Sequence, residues 1–164
     1  MQKITTFLWF DTQAEEAARF YTSLFSNSEI KSVSRYPAEG EEVTGKPAGA
    51  VMTVTFQLDG QQFMALNGGP QFKFNEAISL VVNSETQEEI DELWARLTEG
   101  GAEVQCGWLK DRYGLSWQIV PPVLGEMLRD KDREKAGRVM QAMLQMKKID
   151  ISELEAAAEG VPSA

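Results

Sequence analysis

The stretch Ile4-Thr5-Thr6-Phe7-Leu8-Trp9-Phe10-Asp11-Thr12-Gln13-Ala14-Glu15 changes periodicity partway along. Residues 4 to 10 are rich in β-branched and aromatic types, the composition of a strand, and the run stops at Asp11-Thr12. Thr12 and Glu15 stand in the S/T-x-x-E relation of a capping box, which predicts a helix start. Up to about Phe25, residues Ala14, Ala17, Ala18, Tyr21, Leu24 and Phe25 share one side, as on a helix lying against a sheet, and Ser26-Asn27-Ser28 ends it. The same change recurs downstream. Ala77 to Asn83 reads as a strand, Ser84 with Gln87 as a second capping box, and Ile90, Leu93, Trp94 and Leu97 as a helical stripe before Gly100-Gly101. A shift of 73 residues lays Glu15-Glu16 on Glu88-Glu89, Phe20-Tyr21 on Leu93-Trp94, Leu24 on Leu97 and Phe7 on Leu80.

The residues between complete each half. Strands are predicted at Glu29 to Tyr36 and Gly49 to Leu58, separated by a loop over 37 to 47 whose prolines, glycines and acidic Glu41-Glu42 belong in solvent. Asp59-Gly60 is a hairpin turn into a strand over Gln62 to Leu66, closed by Asn67-Gly68-Gly69-Pro70. In the second half strands fall at Glu103 to Gln105, Gly107 to Lys110 and Leu115 to Val120, with Asp111-Arg112-Tyr113-Gly114 as the last turn. Both halves read β-α-β-β-β, so an α+β fold is expected over residues 1–121, as modules 1–73 and 74–121. After Pro121-Pro122 the pattern is helical: Val123 to Leu128, Arg133 to Lys147, and Ile151 to Glu159 with Ser152 and Glu155 placed to cap it. Residues 122–164 are thus a helical extension, packed on the same domain or on a dimer partner through the stripe Val139, Met140, Met143, Leu144 and Met146.

Composition narrows the function. The chain has 164 residues and 43% hydrophobic content, enough for a core without staples. Sixteen basic against twenty-five acidic residues leave a net charge of −9, which repels phosphate backbones and anionic lipid, so neither nucleic acid nor a membrane is an expected partner. The single Cys106 forms no internal disulfide and reads as an inert thiol. The opening residues reach Asp11 before a signal-peptide core develops, and no apolar run nears the roughly 20 residues of a membrane span, so a cytoplasmic protein is expected. There is no histidine, which excludes Ser-His-Asp and Cys-His nucleophilic machinery, His acid–base catalysis and His-containing metal sites. The glycines at 68-69 lack the helix and Lys-Ser/Thr of a phosphate loop and read as a strand-ending turn.

The tandem β-α-β-β-β pattern, with Phe20-Tyr21 on the first helix and Asp111-x-x-Gly114 before the last strand, resembles the vicinal oxygen chelate superfamily of glyoxalases, extradiol dioxygenases and antibiotic-resistance proteins. Phe10 to Ala17, the run Cys106 to Pro121 and the tail Arg138-Val139-Met140-Gln141-Ala142-Met143 resemble its PhnB-like branch, whose members carry the label 3-demethylubiquinone methyltransferase-like. The resemblance implies two sheets forming a cup, helices outside, and metal ligands projecting inward from the first and last strands of each half. Those positions fall here at Ile4 or Thr6, Met64, Ala77 or Ser79, and Gln118. One neutral amide among aliphatic, thioether and hydroxyl groups does not hold a divalent cation, so no metal and no cofactor are expected.

With even-numbered residues inward, the cup would present Thr6, Leu8, Phe10, Met64, Leu66, Ser79, Trp108, Lys110, Ser116 and Gln118, while Phe7, Trp9, Trp117 and Ile119 form core under the helices. Trp108 and Phe10 offer aromatic faces, Gln118 a donor and an acceptor, Ser79 and Thr6 hydroxyls, and Lys110 a cation. Two readings stay open: a pocket for a small organic molecule, or a cup filled by its own side chains. Three functions compete accordingly. The first is a metal-independent small-molecule-binding protein working as a homodimer. The second is an enzyme, either of the methyltransferase-like label or a metal-free lyase or isomerase using Gln118 and Lys110. The third is a non-catalytic interaction protein working through its Met-rich helices. Methyl transfer from S-adenosylmethionine ordinarily uses a Gly-rich turn after a parallel strand, and no such unit is found.

Overall fold

A computed structural model describes residues 2–161. The chain divides into two compact units, Met1–Lys73 and Phe74–Ala164, each carrying its own four-stranded sheet. Among the described residues no helix is long and apolar enough to cross a membrane.

The first unit runs β1 (Thr6–Phe10), α1 (Ala14–Thr22), β2 (Glu29–Arg35), the short α2 (Glu41–Thr44), β3 (Val51–Leu58) and β4 (Gln61–Asn67), with sheet order β1-β4-β3-β2 and β1 parallel to β4. Asp59 and Gly60 both take positive φ, 46° and 83°, the twist that joins two antiparallel strands in a two-residue hairpin. On one side of the sheet, α1 buries Ala14, Ala17, Ala18 and Tyr21. Tyr21 meets Phe56, ring centroids 6.4 Å apart, and Phe56 stacks on Phe63 at 5.5 Å. Leu24 and Phe25 lie beyond the end of the helix and are half-buried.

The expected Thr12–Glu15 capping box does not form. The cap residue of α1 is Gln13, with no side-chain cap bond, and Glu15 instead pairs with Arg19 at 3.1 Å. The first helical N–H, that of Ala14, donates to Asn67 Oδ1 at 2.8 Å. Asn67 sits beside Phe10 in the β1–β4 pairing, so the sheet delivers a fixed acceptor to the helix start that a rotating Thr12 hydroxyl does not match. The same buried side chain donates to the Val51 carbonyl at 3.2 Å, and the Asn67 carbonyl accepts from the Tyr36 hydroxyl at 2.6 Å.

The expected facing of β1 is reversed. Leu8 and Phe10 are buried in the core, whereas Phe7 is 51% exposed and Trp9 only half-buried on the opposite face. The cause is register: Phe7 pairs with Met64 and Trp9 with Leu66, an odd offset, so one parity cannot serve both strands.

The second unit repeats the plan with β5 (Ser79–Asn83), α3 (Gln87–Thr98), β6 (Ala102–Glu103), β7 (Trp108–Lys110) and β8 (Ser116–Val120), ordered β5-β8-β7-β6 with β5 parallel to β8. As the stripe predicts, α3 buries Ile90, Leu93, Trp94 and Leu97, and Leu109, Trp117 and Ile119 are core. The cap is a different residue from the one expected. Thr86 accepts from Glu89 N–H at 3.2 Å, while Ser84 is fully buried and its own N–H extends the strand pairing to the Val120 carbonyl at 2.9 Å. The last turn is built on buried Asp111, whose Oδ1 accepts from the N–H groups of Tyr113 at 2.8 Å and Leu115 at 3.1 Å, and whose Oδ2 accepts from Trp117 Nε1 at 2.9 Å.

The extension forms α4 (Pro122–Leu128), α5 (Arg133–Leu144) and α6 (Ile151–Glu159) around Leu124, Val139, Met146, Ile149, Leu154 and Ala158. Asp150, not Ser152, caps α6, accepting from Glu153 N–H at 3.1 Å and from the Ser152 hydroxyl at 2.6 Å. The expected apolar stripe splits: Val139 and Met146 are buried, but Met140 and Leu144 are 40% and 53% exposed. Backbone-directed bonds tie the segment after α5 to the second module. Cys106 N–H donates to the Met146 carbonyl and Gly107 N–H to the Lys147 carbonyl, both at 2.8 Å. Gln87 adds a two-armed clamp, donating to the Ile149 carbonyl at 2.9 Å and accepting from Ile151 N–H at 2.8 Å.

Candidate functional site

Strand alternation places Ser79, Val81 and Asn83 of β5, Ser116, Gln118 and Val120 of β8, and Trp108 and Lys110 of β7 on the face of the second sheet away from α3. Register arranges them in rows. Ser79, Ser116 and Lys110 lie side by side, and so do Val81, Gln118 and Trp108. Gln118 Nε2 donates diagonally to Ser79 Oγ at 2.9 Å, which orients the carboxamide. Lys110 is engaged by Glu76, and the Lys110 hydrogen bond holds the Glu76 carboxyl below its ordinary range. The Ser116 hydroxyl is 1% exposed and has no hydrogen-bond partner among the described residues.

A concavity of about 560 Å³ opens beside this face, floored by Asn83, Trp108, Gln118 and Val120 and walled by Pro121, Pro122, Leu124, Gly125, Glu126, Leu128 and Arg129, with Met143 and Cys106 also in the lining. Its walls are mostly apolar and its floor carries two carboxamides, a common composition for a small-molecule site. Cys106 adopts a left-handed φ of 59°, held by its bond to the Met146 carbonyl. Sequence reading missed the α4 wall. The available signal was Pro121-Pro122, which turns the chain out of β8 and starts α4 with a proline in its first turn.

In the first unit the face away from α1 carries Phe7, Trp9, Met64 and Leu66. Trp9 Nε1 donates to the Gly69 carbonyl at 2.9 Å, Phe72 meets the indole edge-on at 4.9 Å, and the indole occupies the space a Cβ at Gly68 would need. Of the expected ligand-facing residues, Ser79, Trp108, Lys110, Ser116 and Gln118 share one face of the second sheet, and Met64 and Leu66 lie on the open face of the first. Thr6, Leu8 and Phe10 have the opposite parity, toward α1, because β1 is read one residue out of phase.

These residues do not suit a divalent cation. Among the described residues no three or more His, Cys, Asp or Glu side chains converge, and the groups on the open faces are hydroxyl, amide, thioether and an ion-paired ammonium.

A profile of the family described as 3-demethylubiquinone-9 3-methyltransferase matches residues 2–120. The PhnB protein of Bacillus cereus is 45% identical, over 73% of this chain and 99% of that one, with a TM-score of 0.66. A protein from Pseudomonas aeruginosa is 18% identical, over 74% and 98% of the two chains, with a TM-score of 0.57. The genomically encoded fosfomycin resistance protein FosX of Listeria monocytogenes is 16% identical, over 79% and 98%, with a TM-score of 0.51. A mutant of FosX was crystallised with Mn(II) and 1S,2S-dihydroxypropylphosphonic acid. No curated protein matches the chain. The family match spans both β-α-β-β-β modules and stops at the end of β8: this chain belongs to the 3-demethylubiquinone-9 3-methyltransferase family, in the PhnB-like branch of the vicinal oxygen chelate superfamily.

Proposed function

We propose that the protein binds a small organic molecule without a divalent metal, in the concavity of its second module. One observation carries this reading: Gln118, where the resemblance places a metal ligand, is instead tied to Ser79 and stands next to Trp108 under the apolar wall of α4. Trp108 and Gln118, which line the concavity, are the proposed contacts; Ser79 orients Gln118, and Lys110, held by Glu76, stands beside Ser116 on the same face of the sheet. The turns leading into both module helices support the reading over methyl transfer. Asp11-Thr12-Gln13 and Ser84-Glu85-Thr86 contain no glycine that would let a backbone close on a nucleotide. The protein is proposed to act as a homodimer, for which exposed Met140 and Leu144 on α5 offer apolar area.

The test is a thermal-shift screen of the full chain in EDTA against neutral and charged aromatic compounds, repeated with divalent cations. A melting point raised by an organic compound in EDTA, and lost in Trp108→Ala, is the expected result. A rise that requires a divalent cation overturns the proposal.

A further inference from the structure

Resting on that reading, we infer that the pocket takes a neutral, planar aromatic molecule presenting a carboxamide, lactam or imide edge, and that the C-terminal extension sets this preference. The first argument is charge. Among the lining residues only Glu126 and Arg129 are charged; they have opposite sign and stand three residues apart, Glu126 in the last turn of α4 and Arg129 at its C-terminal cap. The Arg129 guanidinium folds back over Gly125, where a Cβ would come within 3.1 Å of its Nη1. Lys110 is held by Glu76 and is not part of the lining. A carboxylate or phosphonate entering this space therefore meets a lining whose formal charges cancel while it loses its hydration, and the net charge of −9 on the chain adds to the penalty.

The second argument is hydrogen bonding. Gln118 has one arm on Ser79, which leaves its Oε1 and a second N–H without protein partners among the described residues. An acceptor and a donor side by side are matched by another amide-like edge, and a ligand lacking that edge leaves both unsatisfied. The Trp108 ring, adjacent to Gln118 by register, supplies the face on which a planar ring lies. The third argument is provenance. The family match ends at residue 120, whereas Glu126, Arg129 and the rest of the α4 wall lie beyond it. The charge balance of the pocket is thus set by the extension.

The experiment is calorimetric titration of the full chain with matched series on phenyl, naphthyl and indolyl scaffolds, each as carboxamide, carboxylate and phosphonate. Each carboxamide is expected to bind at least about tenfold tighter than its carboxylate. Gln118→Leu should erase that advantage. Glu126→Gln, an exposed change that folding tolerates, should strengthen the carboxylates alone by leaving Arg129 as the one charged residue of the lining. Carboxylates or phosphonates binding as tightly as the amides would overturn this inference and leave the pocket reading standing. Silence from all three series and from the neutral compounds of the thermal screen would remove both.

Discussion

The two modules follow one chain course and diverge on the sheet face that the helix leaves uncovered. Beneath the helices they match, with Tyr21 on Phe56 in the first, and Trp94, Leu109, Trp117 and Ile119 all buried in the second. On the other face the first module carries Phe7, Trp9, Met64 and Leu66, and the second carries Ser79, Lys110, Ser116 and Gln118. The covered face supplies the buried apolar area on which folding depends, so its residue classes are restricted. The uncovered face is released from that demand and can acquire chemistry. Helix starts differ too: Asn67, delivered by β4, caps the first, whereas local Thr86 caps the second and leaves Gln87 to hold the extension.

The sharpest way to break this comparison is at the last turns. Asp111→Ala should cost about 3–5 kcal/mol in urea unfolding, since two backbone amides and the Trp117 indole lose a buried acceptor. Asp59→Asn, at the exposed hairpin of the first module, should change stability by less than about 0.5 kcal/mol, because Asn tolerates the same positive φ. Equal losses would mean that the two turns do the same structural work. At the helix starts, Asn67→Ala should cost about 2–3 kcal/mol and Thr86→Ala about 1 kcal/mol, because only Asn67 also joins β3. Gln87→Ala should cost about 1 kcal/mol and show as faster amide exchange at Ile151, with the core of the first module unchanged.

The smallest expected effect is acid loosening of the extension. Asp91 is held below the ordinary carboxylate range by the hydrogen bond from Lys148 and then by that from Gln87. A lowered folded value means that its contribution is present at neutral pH and fades as the pH falls below about 4, through that lowered value. Amide exchange at Ile151 should therefore quicken, relative to Leu8, on acidification through that range. The difference should vanish in Asp91→Asn, and its persistence there would assign the effect to another group.

Much of the plan was legible. Alternation and the apolar spacing of Ile90, Leu93, Trp94 and Leu97 report local backbone geometry, which a single segment carries by itself. The helix caps were misplaced for a common reason: candidate hydroxyls are visible in sequence, but the winning acceptor depends on what else arrives. Asn67 comes from 53 residues away, and the backbone N–H of Ser84 is drawn into the strand pairing with Val120, which leaves its hydroxyl buried and without a hydrogen-bond partner among the described residues. The candidate site divided the same way. Trp108, Lys110, Ser116 and Gln118 lie on neighbouring antiparallel strands, and one parity gathers them correctly. Thr6, Leu8 and Phe10 were misassigned because the offset between parallel β1 and β4 is set by a connection through a helix and two strands, and nothing local reports whether it is odd or even.

By itself the sequence determined the repeated β-α-β-β-β order and the helical extension, because these follow from residue type and short-range period. Only the tertiary structure decided which face of β1 is core, which groups cap the helices, and that α4 walls a concavity over Trp108 and Gln118. Those outcomes rest on pairings between residues far apart in the chain, whose register is settled by the packing of whole elements.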